Sequence, residues 1–336
     1  MSAALALEDV VVEYERRNLG PVRAVAGASL EVAQGQIVGL VGESGCGKST
    51  LARAAVGMVA PLTGSVRFEA REVRPLHRGA RPRELARLQM VFQNPFSSLN
   101  PRRRVGEQIG EALSTLRLGT RAQRPARVRQ LLEQVGLTAG AARGYPHEFS
   151  GGQRQRIAIA RALAASPSVI VLDEPLASLD ASAQAQIANL LGSLARELDL
   201  GLLLISHDLA IVRHIADIVA VMYLGQIVER APTKELWAQP LHPYSEALIA
   251  AVPRADGAGI APEALPGEVP DPSRPPPGCR FHTRCPYAFE RCRSEEPPLV
   301  EVAAGRSAAC WLQLPGEPPA PPAVKAGRLA RPSPSE

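Results

Sequence analysis

The sequence is poor in lysine, in aromatic residues and in long apolar runs. Of its 38 basic residues three are lysine (Lys48, Lys234 and Lys325), and aromatic residues make up 4% of the 336 residues. No run of about 18 uncharged apolar residues is present, so we expect no membrane-spanning helix. The first residues lack the basic leader of a signal peptide, so export is not expected. The 46% of hydrophobic residues and a net charge of +5 predict a folded protein.

Proline is scarce in the first two thirds of the chain. Ten of the 31 prolines lie in residues 1–231, and 21 lie in the last 105 residues. The first part is therefore predicted to consist of regular elements, and the last part of turns and extended segments. The stretch 314–336 has almost nothing to bury and is predicted to be a disordered tail.

Short apolar runs alternate with helical patterns in the first part. Strands are predicted at residues 37–41, 169–172, 202–205 and 218–223. Apolar residues recur at helical spacing in 128–135 and 187–198. Strands that alternate with helices predict an α/β fold with a mostly parallel sheet. Residues 105–165 show helical patterns only, which predicts a helical insertion.

A glycine-rich segment follows the first of these strands. Residues 42–50 read GESGCGKST and fit G-x-x-x-x-G-K-[ST] between a strand and a helix, which is the context this phosphate-binding (Walker A) motif requires. Glycines let backbone N–H groups surround phosphate oxygens, and the helix N-terminus adds partial positive charge. Lys48 is predicted to neutralise the β- and γ-phosphates, and Ser49 to ligate Mg²⁺. The predicted nucleotide contacts are Gly42, Ser44, Gly45, Cys46, Gly47, Lys48, Ser49 and Thr50.

Two carboxylates end the apolar run at 169–172. Open α/β sheets bind ligands at the carboxyl ends of their strands, which is where Asp173 and Glu174 lie. Asp173 is predicted to belong to the Mg²⁺ shell, and Glu174 to act as the general base for the attacking water. Strands often end in acidic residues, so this pattern alone is weak evidence for a catalytic site. It supports the two predicted roles because it follows a Walker A segment.

A pair of adjacent glycines begins another predicted helix. Residues 149–153 read FSGGQ, with Ser150 as the N-cap and two glycines that expose backbone N–H groups. Local physics alone favours an ordinary capped helix, although the same geometry can bind phosphate.

The order of these motifs resembles the ATP-binding cassette (ABC) ATPases. FSGGQ resembles their signature, with Phe149 where leucine is commonest; Gln93 resembles the Q-loop, Asp180 the D-loop and His207 the switch histidine. The resemblance covers about residues 5–230. It implies a P-loop NTPase (RecA-like) core with a helical subdomain. It also implies two chains, in which the signature of one closes on the ATP held by the other.

The resemblance also assigns roles to individual residues. It places Gln93 with Ser49 and Asp173 around Mg²⁺, and it implies that Lys48, Gln93 and His207 take part in catalysis with Glu174. The further nucleotide contacts that it implies are Tyr14, Gln93, Ser150, Gly151, Gly152, Gln153, Asp173 and Asp180.

Longer segments resemble the oligopeptide/dipeptide branch of ABC importers. They are VFQNPFSSLNPR at 91–102, YPHEFSGGQRQR at 145–156, LHPYSEALIAAVP at 241–253 and GCRFHTRCPYAFERC at 278–292. This resemblance implies two integral-membrane permease subunits, a second ABC ATPase chain (identical or paralogous) and an extracytoplasmic solute-binding protein. It places the chain peripherally on the cytoplasmic face of the cell membrane, with residues 94–104 against the permease. Peptides are the first expectation for the solute, and nickel or another small solute is the alternative.

Four of the five cysteines cluster near the C-terminus. Cys279, Cys285, Cys292 and Cys310 predict a metal site more than disulfides in a chain with no export signal. Their spacing lacks the C-x₂-C pairs of zinc ribbons, which favours a [4Fe–4S] cluster over Zn²⁺. Four reduced cysteines packed together remain the alternative. His282, beside them, is not expected to be a ligand.

A competing function is a soluble ABC ATPase that acts on nucleic acid or ribosomes. The single cassette argues against it, as do arginines that look scattered in the sequence rather than gathered among aromatics. No nucleic acid partner is therefore expected. The predicted domains are a nucleotide-binding domain at 1–230 (helical subdomain at about 94–160), a small irregular cysteine-containing domain at 231–313, and the tail.

Overall fold

The computed structural model describes residues 3–16, 20–75, 82–93, 98–252 and 267–314. The chain divides into two compact units, Met1–Ile227 and Val228–Glu336. The predicted tail, apart from Leu314, lies outside the described residues, and so do residues 94–97 of the segment expected to contact a permease.

The first unit contains two sheets and a set of helices. Its strands are β1 (Ala3–Arg16), β2 (Gly20–Ala33), β3 (Ile37–Val41), β4 (Thr63–Phe68), β5 (Arg71–Glu72), β6 (Leu88–Val91), β7 (Val169–Asp173), β8 (Gly201–Ile205) and β9 (Ile218–Tyr223). Its helices are α1 (Lys48–Ala55), α2 (Val105–Thr115), α3 (Arg124–Gln134), α4 (Gly151–Leu163), α5 (Ala181–Leu198) and α6 (Leu209–Ile215). Short 3₁₀ turns lie at Glu84–Arg87, Ala139–Arg143 and Pro146–Glu148.

The parallel sheet has the strand order β9-β3-β8-β7-β6. Every residue of β3, β7 and β8 is buried, as expected of strands covered on both faces. The strands lie where the apolar runs predict them, so the α/β prediction is confirmed. Because parallel strands end at one edge, Val41, Asp173 and Ile205 bring the segments that follow them together.

An antiparallel sheet of order β2-β1-β4-β5 accompanies the parallel one. Leu5 and Leu7 are buried before a shift in the register of β1, and Val10 and Val12 are buried after it. At the shift, Asp9 has a φ of 46°, and its backbone N–H donates to Ser29 Oγ at 2.9 Å. The irregularity moves the large buried side chains from odd to even positions, so simple alternation does not mark β1 as one strand.

The stretch 105–165 is helical, as predicted. It contains α2, α3, α4 and two 3₁₀ turns, and its described residues include no strand. Leu99 is 2% exposed. Its side chain therefore packs inside the first unit.

The second unit is built on short elements. They are β10 (Gln226–Pro232), α7 (Thr233–Ala238), α8 (Pro243–Ala250), α9 (Glu290–Ser294), β11 (Val300–Ala303), β12 (Arg306–Ala308) and a 3₁₀ turn at Trp311–Gln313. The boundary between the two units falls within β10, after Ile227. β12 pairs with both β10 and β11. Phe281 packs on Tyr244 and His242, with ring centroids 5.4 Å and 5.8 Å away.

A buried carboxylate holds the chain reversal before α8. Glu229 is 0% exposed and accepts hydrogen bonds from the backbone N–H groups of Leu241 (2.8 Å) and His242 (2.9 Å). Burial lowers the pKa of His242 to about 3, so its ring is neutral.

Across the described residues, no helix combines the length and apolar character needed to cross a bilayer.

Candidate functional site

The Walker A segment forms a tight loop between β3 and α1. Gly47 has a φ of 108°, and a Cβ at this position would lie 2.2 Å from Ala24 O, so only glycine fits. Lys48 is 4% exposed, and its Nζ donates to Gly42 O at 2.8 Å and Glu43 O at 2.9 Å. A buried ammonium group therefore lies against the loop whose backbone N–H groups precede α1.

Cys46 fills space inside this loop. Its side chain is 3% exposed, and its Sγ lies 3.7 Å from Lys48 Nζ. Burial raises the pKa of the Cys46 thiol, although the Lys48 charge opposes the shift. The thiol is thus neutral and acts as a small apolar side chain.

The end of β7 lies against the start of α1. Ser49 Oγ donates to Asp173 Oδ1 at 2.8 Å. Burial raises the pKa of the Asp173 carboxyl, while the hydrogen bond from Ser49 and the charge of Arg53 oppose the shift. A hydroxyl and a carboxylate are thus paired, and these are oxygen ligands of the kind Mg²⁺ prefers. Sequence reasoning missed Arg53, which lies one and a half turns along α1 with no motif to mark it.

Glu174 is held in an unusual conformation. Its φ is 45°, which a non-glycine residue rarely adopts, and its N–H donates to Ile205 O at 3.1 Å. Its Oε2 accepts a hydrogen bond from Gln93 Nε2 at 2.8 Å and lies 3.5 Å from His207 Nδ1. The structure therefore gathers the predicted general base, Q-loop glutamine and switch histidine around one carboxylate oxygen.

The turn after β8 places His207. Asp208 N–H donates to Ser206 Oγ at 3.0 Å, and Asp208 Oδ1 accepts from the N–H of Ala210 at 2.9 Å and so caps α6. Ser206 is 6% exposed. Sequence reasoning singled out neither Ser206 nor Asp208, although a serine and an aspartate before a helix are turn and cap signals.

The signature opens α4 with a capping box. Gln153 N–H donates to Ser150 Oγ at 3.3 Å, and Ser150 N–H donates to Gln153 Oε1 at 2.9 Å. A Cβ on Gly151 would lie 3.1 Å from the Leu179 side chain. Asp180 caps α5 through a 2.9 Å hydrogen bond from Ala183 N–H. The predicted helix start at Ser150 is confirmed, and the Gln153 and Asp180 side chains form hydrogen bonds within their own helix starts.

The predicted site residues thus fall into separate groups. Ser49 pairs with Asp173, and Gln93 and His207 meet at Glu174, all at one edge of the parallel sheet. Tyr14 is 39% exposed on β1, and Ser150 starts α4. In the described part of the chain, no hydrogen bond links Tyr14 or the signature to the Lys48–Glu174 cluster.

The second unit gathers its four cysteines around one small cavity. Cys279, Cys285, Cys292 and Cys310 all line it, its volume is about 10 Å³, and all four thiols are free. Burial raises the pKa of Cys279 to about 11 and that of Cys285 and Cys310 to about 12. His282 Nδ1 lies 2.8 Å from Cys279 O.

The predicted metal at these cysteines is not confirmed. Within the described ranges, no group of three or more His, Cys, Asp or Glu side chains is arranged to hold a metal ion. A cavity of about 10 Å³ has room for about one water molecule.

Comparison with known proteins identifies the family. Residues 25–177 match the family model described as ABC transporter, and residues 228–292 match the one described as oligopeptide/dipeptide transporter, C-terminal region. A probable peptide ABC transporter ATP-binding protein of Sinorhizobium fredii is 50% identical over 301 residues, which is 89% of this chain and 85% of the relative. The di/tripeptide transport ATP-binding protein DppF of Pseudomonas aeruginosa is 46% identical and covers 92% of this chain and 98% of its own.

Solved structures agree with this assignment. A dimeric ATP-binding cassette in a post-hydrolysis state, bound to ADP and phosphate, is 26% identical and covers 68% of this chain and 98% of its own, with a TM-score of 0.60. The protein cbiO1 from Clostridium perfringens, part of the ABC transporter complex cbiONQ, also gives a TM-score of 0.60, at 26% identity, and covers 71% of this chain and 92% of its own. The chain therefore belongs to the ABC ATPases, the ATP-hydrolysing subunits of ABC transporters, and within them to the oligopeptide/dipeptide transporter family.

Proposed function

We propose that this chain powers the import of di- and oligopeptides through separate permease subunits. The observation that carries the proposal is the cluster at the sheet edge, where Lys48, the Ser49–Asp173 pair and Glu174 combine phosphate-binding, metal-binding and basic groups. The relatives named for peptide transport support the solute class, because they match 85% or more of their own length. No feature of the described residues favours nickel or a ribosomal substrate.

The residues of this cluster have different roles in ATP hydrolysis. Lys48 and the N–H groups before α1 bind the β- and γ-phosphates. Mg²⁺, held by Ser49, Asp173 and Gln93, would neutralise charge on these phosphates. Glu174 accepts a proton from the water that attacks the γ-phosphorus, and the bond between that phosphorus and the bridging oxygen of ADP breaks. His207 and Gln93 hold the Glu174 carboxylate in position.

A second ATPase chain would complete the nucleotide site. Ser150 caps α4, and Gly151 and Gly152 carry the first N–H groups of that helix, outside the Lys48–Glu174 cluster. Such groups bind phosphate oxygens, so we propose that they close on the ATP of a partner chain, identical or paralogous. Tyr14, exposed on β1, would stack on adenine.

The remaining partners follow from the proposed transport role. Two integral-membrane permease subunits would bind this chain at the cytoplasmic face of the membrane, and an extracytoplasmic binding protein would deliver the peptide. Residues 94–104 stay the proposed contact segment, although the burial of Leu99 removes that side chain from the contact.

Uptake of a labelled dipeptide tests the proposal. The chain is co-expressed with its candidate permeases and reconstituted in vesicles. Adding ATP on the side that carries the ATPase is expected to drive dipeptide accumulation, and a free amino acid of the same charge serves as the control solute. Stimulation of hydrolysis by nickel and not by peptides would contradict the solute class, and purification with ribosomes instead of permeases would contradict the whole proposal.

We also propose that the four-cysteine cavity holds a metal, with a [4Fe–4S] cluster as the first candidate and Zn²⁺ as the alternative. Four thiols that line one cavity form a donor set typical of either metal. The unit has short elements, and Cys279 N–H donates to Cys292 O at 2.8 Å, so bound metal would cross-link segments that already lie side by side. A cluster would require the cavity to widen from its present volume.

Metal analysis of anaerobically purified protein tests this site. Iron and sulfide in equal amounts, with broad absorption in the blue, are expected for the cluster. The change Cys285→Ser should remove the metal and expose residues 267–314 to protease, while Cys46→Ser, at the cysteine outside the cavity, should keep the metal. A measured content of one zinc per chain would identify zinc, and not the iron–sulfur cluster, as the bound metal. Metal-free protein with four reactive thiols would contradict both.

A further inference from the structure

A small cavity lies beside the carboxylate that is proposed as the general base. Its volume is about 10 Å³, which is room for about one water molecule, so the side chains around it are near neighbours. Its polar lining consists of Glu174, Gln184, Ser206, His207 and Asp208. Glu174 and His207 belong to the candidate site, and Ser206 and Asp208 form the turn that places His207. Gln184 is the member of this lining to which no motif assigns a role.

Gln184 reaches the turn after β7 from the first turn of α5. Its backbone N–H donates to Asp180 O at 2.9 Å, one helical turn after the N-cap. Gln184 is half-buried, and its Nε2 donates to Leu176 O at 3.1 Å. This side-chain hydrogen bond therefore joins the turn to an 18-residue helix with a buried apolar face.

The turn itself carries backbone strain. Glu174 has a φ of 45°, and a residue in this conformation keeps it only where the surrounding structure holds it. The N–H of Glu174 is bonded to the end of β8, and Leu179 N–H closes the turn onto Leu176 O at 3.1 Å. In the part of the chain that the structure describes, Gln184 is the one side chain that donates a hydrogen bond to the backbone of residues 174–179.

The Glu174 carboxylate needs accurate placement from its backbone as well as at its tip. Gln93 Nε2 and His207 Nδ1 both approach Oε2, at 2.8 Å and 3.5 Å, so they restrain the end of the side chain only. A displacement of about 1 Å in a catalytic group can lower the rate roughly 100-fold. A restraint on Leu176 O, two residues along the chain, therefore affects how accurately the base is held.

We propose that Gln184 is a positioning residue for Glu174, which it serves by fixing the strained turn through the Leu176 carbonyl. The inference rests on the proposed role of Glu174 as the general base. The Gln184 amide is neutral and takes up no proton itself, so it acts through Glu174. The Lys48 loop follows a different strand, β3, and its contacts with ATP phosphates do not depend on this hydrogen bond. Loss of Gln184 should thus lower kcat and spare ATP affinity.

The change Gln184→Met tests the proposal in the assembled transporter. Methionine is close to glutamine in size and favours helix, but it carries no hydrogen-bond donor for Leu176 O. The kcat for ATP hydrolysis is expected to fall roughly 10- to 100-fold, with KM for ATP close to that of the wild type. The matched control is Gln186→Met, at an exposed position of α5 where Gln186 Oε1 accepts from Arg156 Nη2 at 3.3 Å. This control should keep the wild-type kcat.

A double-mutant cycle separates a positioning role from a general weakening of the fold. In the Glu174→Gln background the base is already absent, so adding Gln184→Met is expected to lower the residual rate by less than about twofold. Residues that act as a unit are non-additive in this way. A mutation that merely weakened the fold would lower the rate by the same factor in both backgrounds.

A wild-type kcat for Gln184→Met would overturn the proposal. An equal loss in both backgrounds, or the same loss in Gln186→Met, would overturn it too, because the effect would then belong to the fold. If Gln184→Met does not fold, Gln184→Glu keeps the shape without the Nε2 donor and carries the same expectations. Near-wild-type turnover by Glu174→Gln alone would overturn the proposed base together with this inference, and that pattern differs from a result confined to Gln184.

Discussion

Replacing Glu174 with Gln is expected to lower ATP turnover by about 10²- to 10⁴-fold and to leave ATP binding intact. Glutamine keeps the shape of the side chain and can still contact Gln93, whose Nε2 lies 2.8 Å from Glu174 Oε2. It cannot accept the proton of the attacking water. Steady-state phosphate release by the assembled transporter measures turnover, and equilibrium binding of a labelled ATP analogue measures affinity.

The matched control for this change is Glu133→Gln, which removes the same charge from an exposed position on α3. Its turnover should equal that of the wild type. Hydrolysis by Glu174→Gln within a few-fold of the wild-type rate would show that another group accepts the proton.

The change Gly151→Asp is expected to lower hydrolysis on the order of 10²- to 10³-fold, the effect typical of losing one preorganised donor to a reacting anion. Gly151 lies at the first position of α4, where helix N–H groups favour a negative charge. An aspartate there would occupy these groups with its own carboxylate and repel the phosphates of a partner's ATP. Binding of ATP to the Lys48 loop of the same chain should not change.

Gln123→Asp provides the comparison for Gly151→Asp. Gln123 is the N-cap of α3, so the variant adds one negative charge at another helix start of the same unit. Its hydrolysis rate should match the wild type. Equal loss in both variants would indicate a general effect of charge on the unit, and no loss in either would indicate that the signature does not reach a nucleotide.

The sequence predicts the parallel sheet well because its strands are buried on both faces. β3, β7 and β8 appear as uninterrupted apolar runs, and their carboxyl ends coincide with the motifs. The gathering of Asp173, Glu174 and His207 follows from topology, since parallel strands present their ends at one edge.

The antiparallel sheet was not predicted, for a local reason. The positive φ of Asp9 shifts the register of β1 and inverts which positions are buried, so no single alternation spans the strand. Sequence periodicity cannot show an irregularity of this kind unless a glycine marks it.

Features that depend on packing between distant elements could not be predicted from the sequence either. One open groove between α2, α3 and the 3₁₀ turn Ala139–Arg143 is lined by five arginines that are irregularly spaced in the sequence. The close cavity of the four cysteines depends on how Pro-rich segments fold back, as the Cys279–Cys292 backbone hydrogen bond shows. Spacing along the chain suggested a metal there but could not give the volume available to it.

The central claim is that two ATPase chains enclose ATP between the Lys48 loop of one and the Ser150–Gly151 surface of the other. Native mass spectrometry of the Glu174→Gln protein with Mg·ATP tests it most directly, either with the chain alone or with its paralogue if the partner is not identical. The account predicts a dimer that carries two nucleotides, and its dissociation when Gly151→Asp is added. A single chain that binds one nucleotide at every concentration, with full hydrolytic activity in the wild-type form, would contradict the claim.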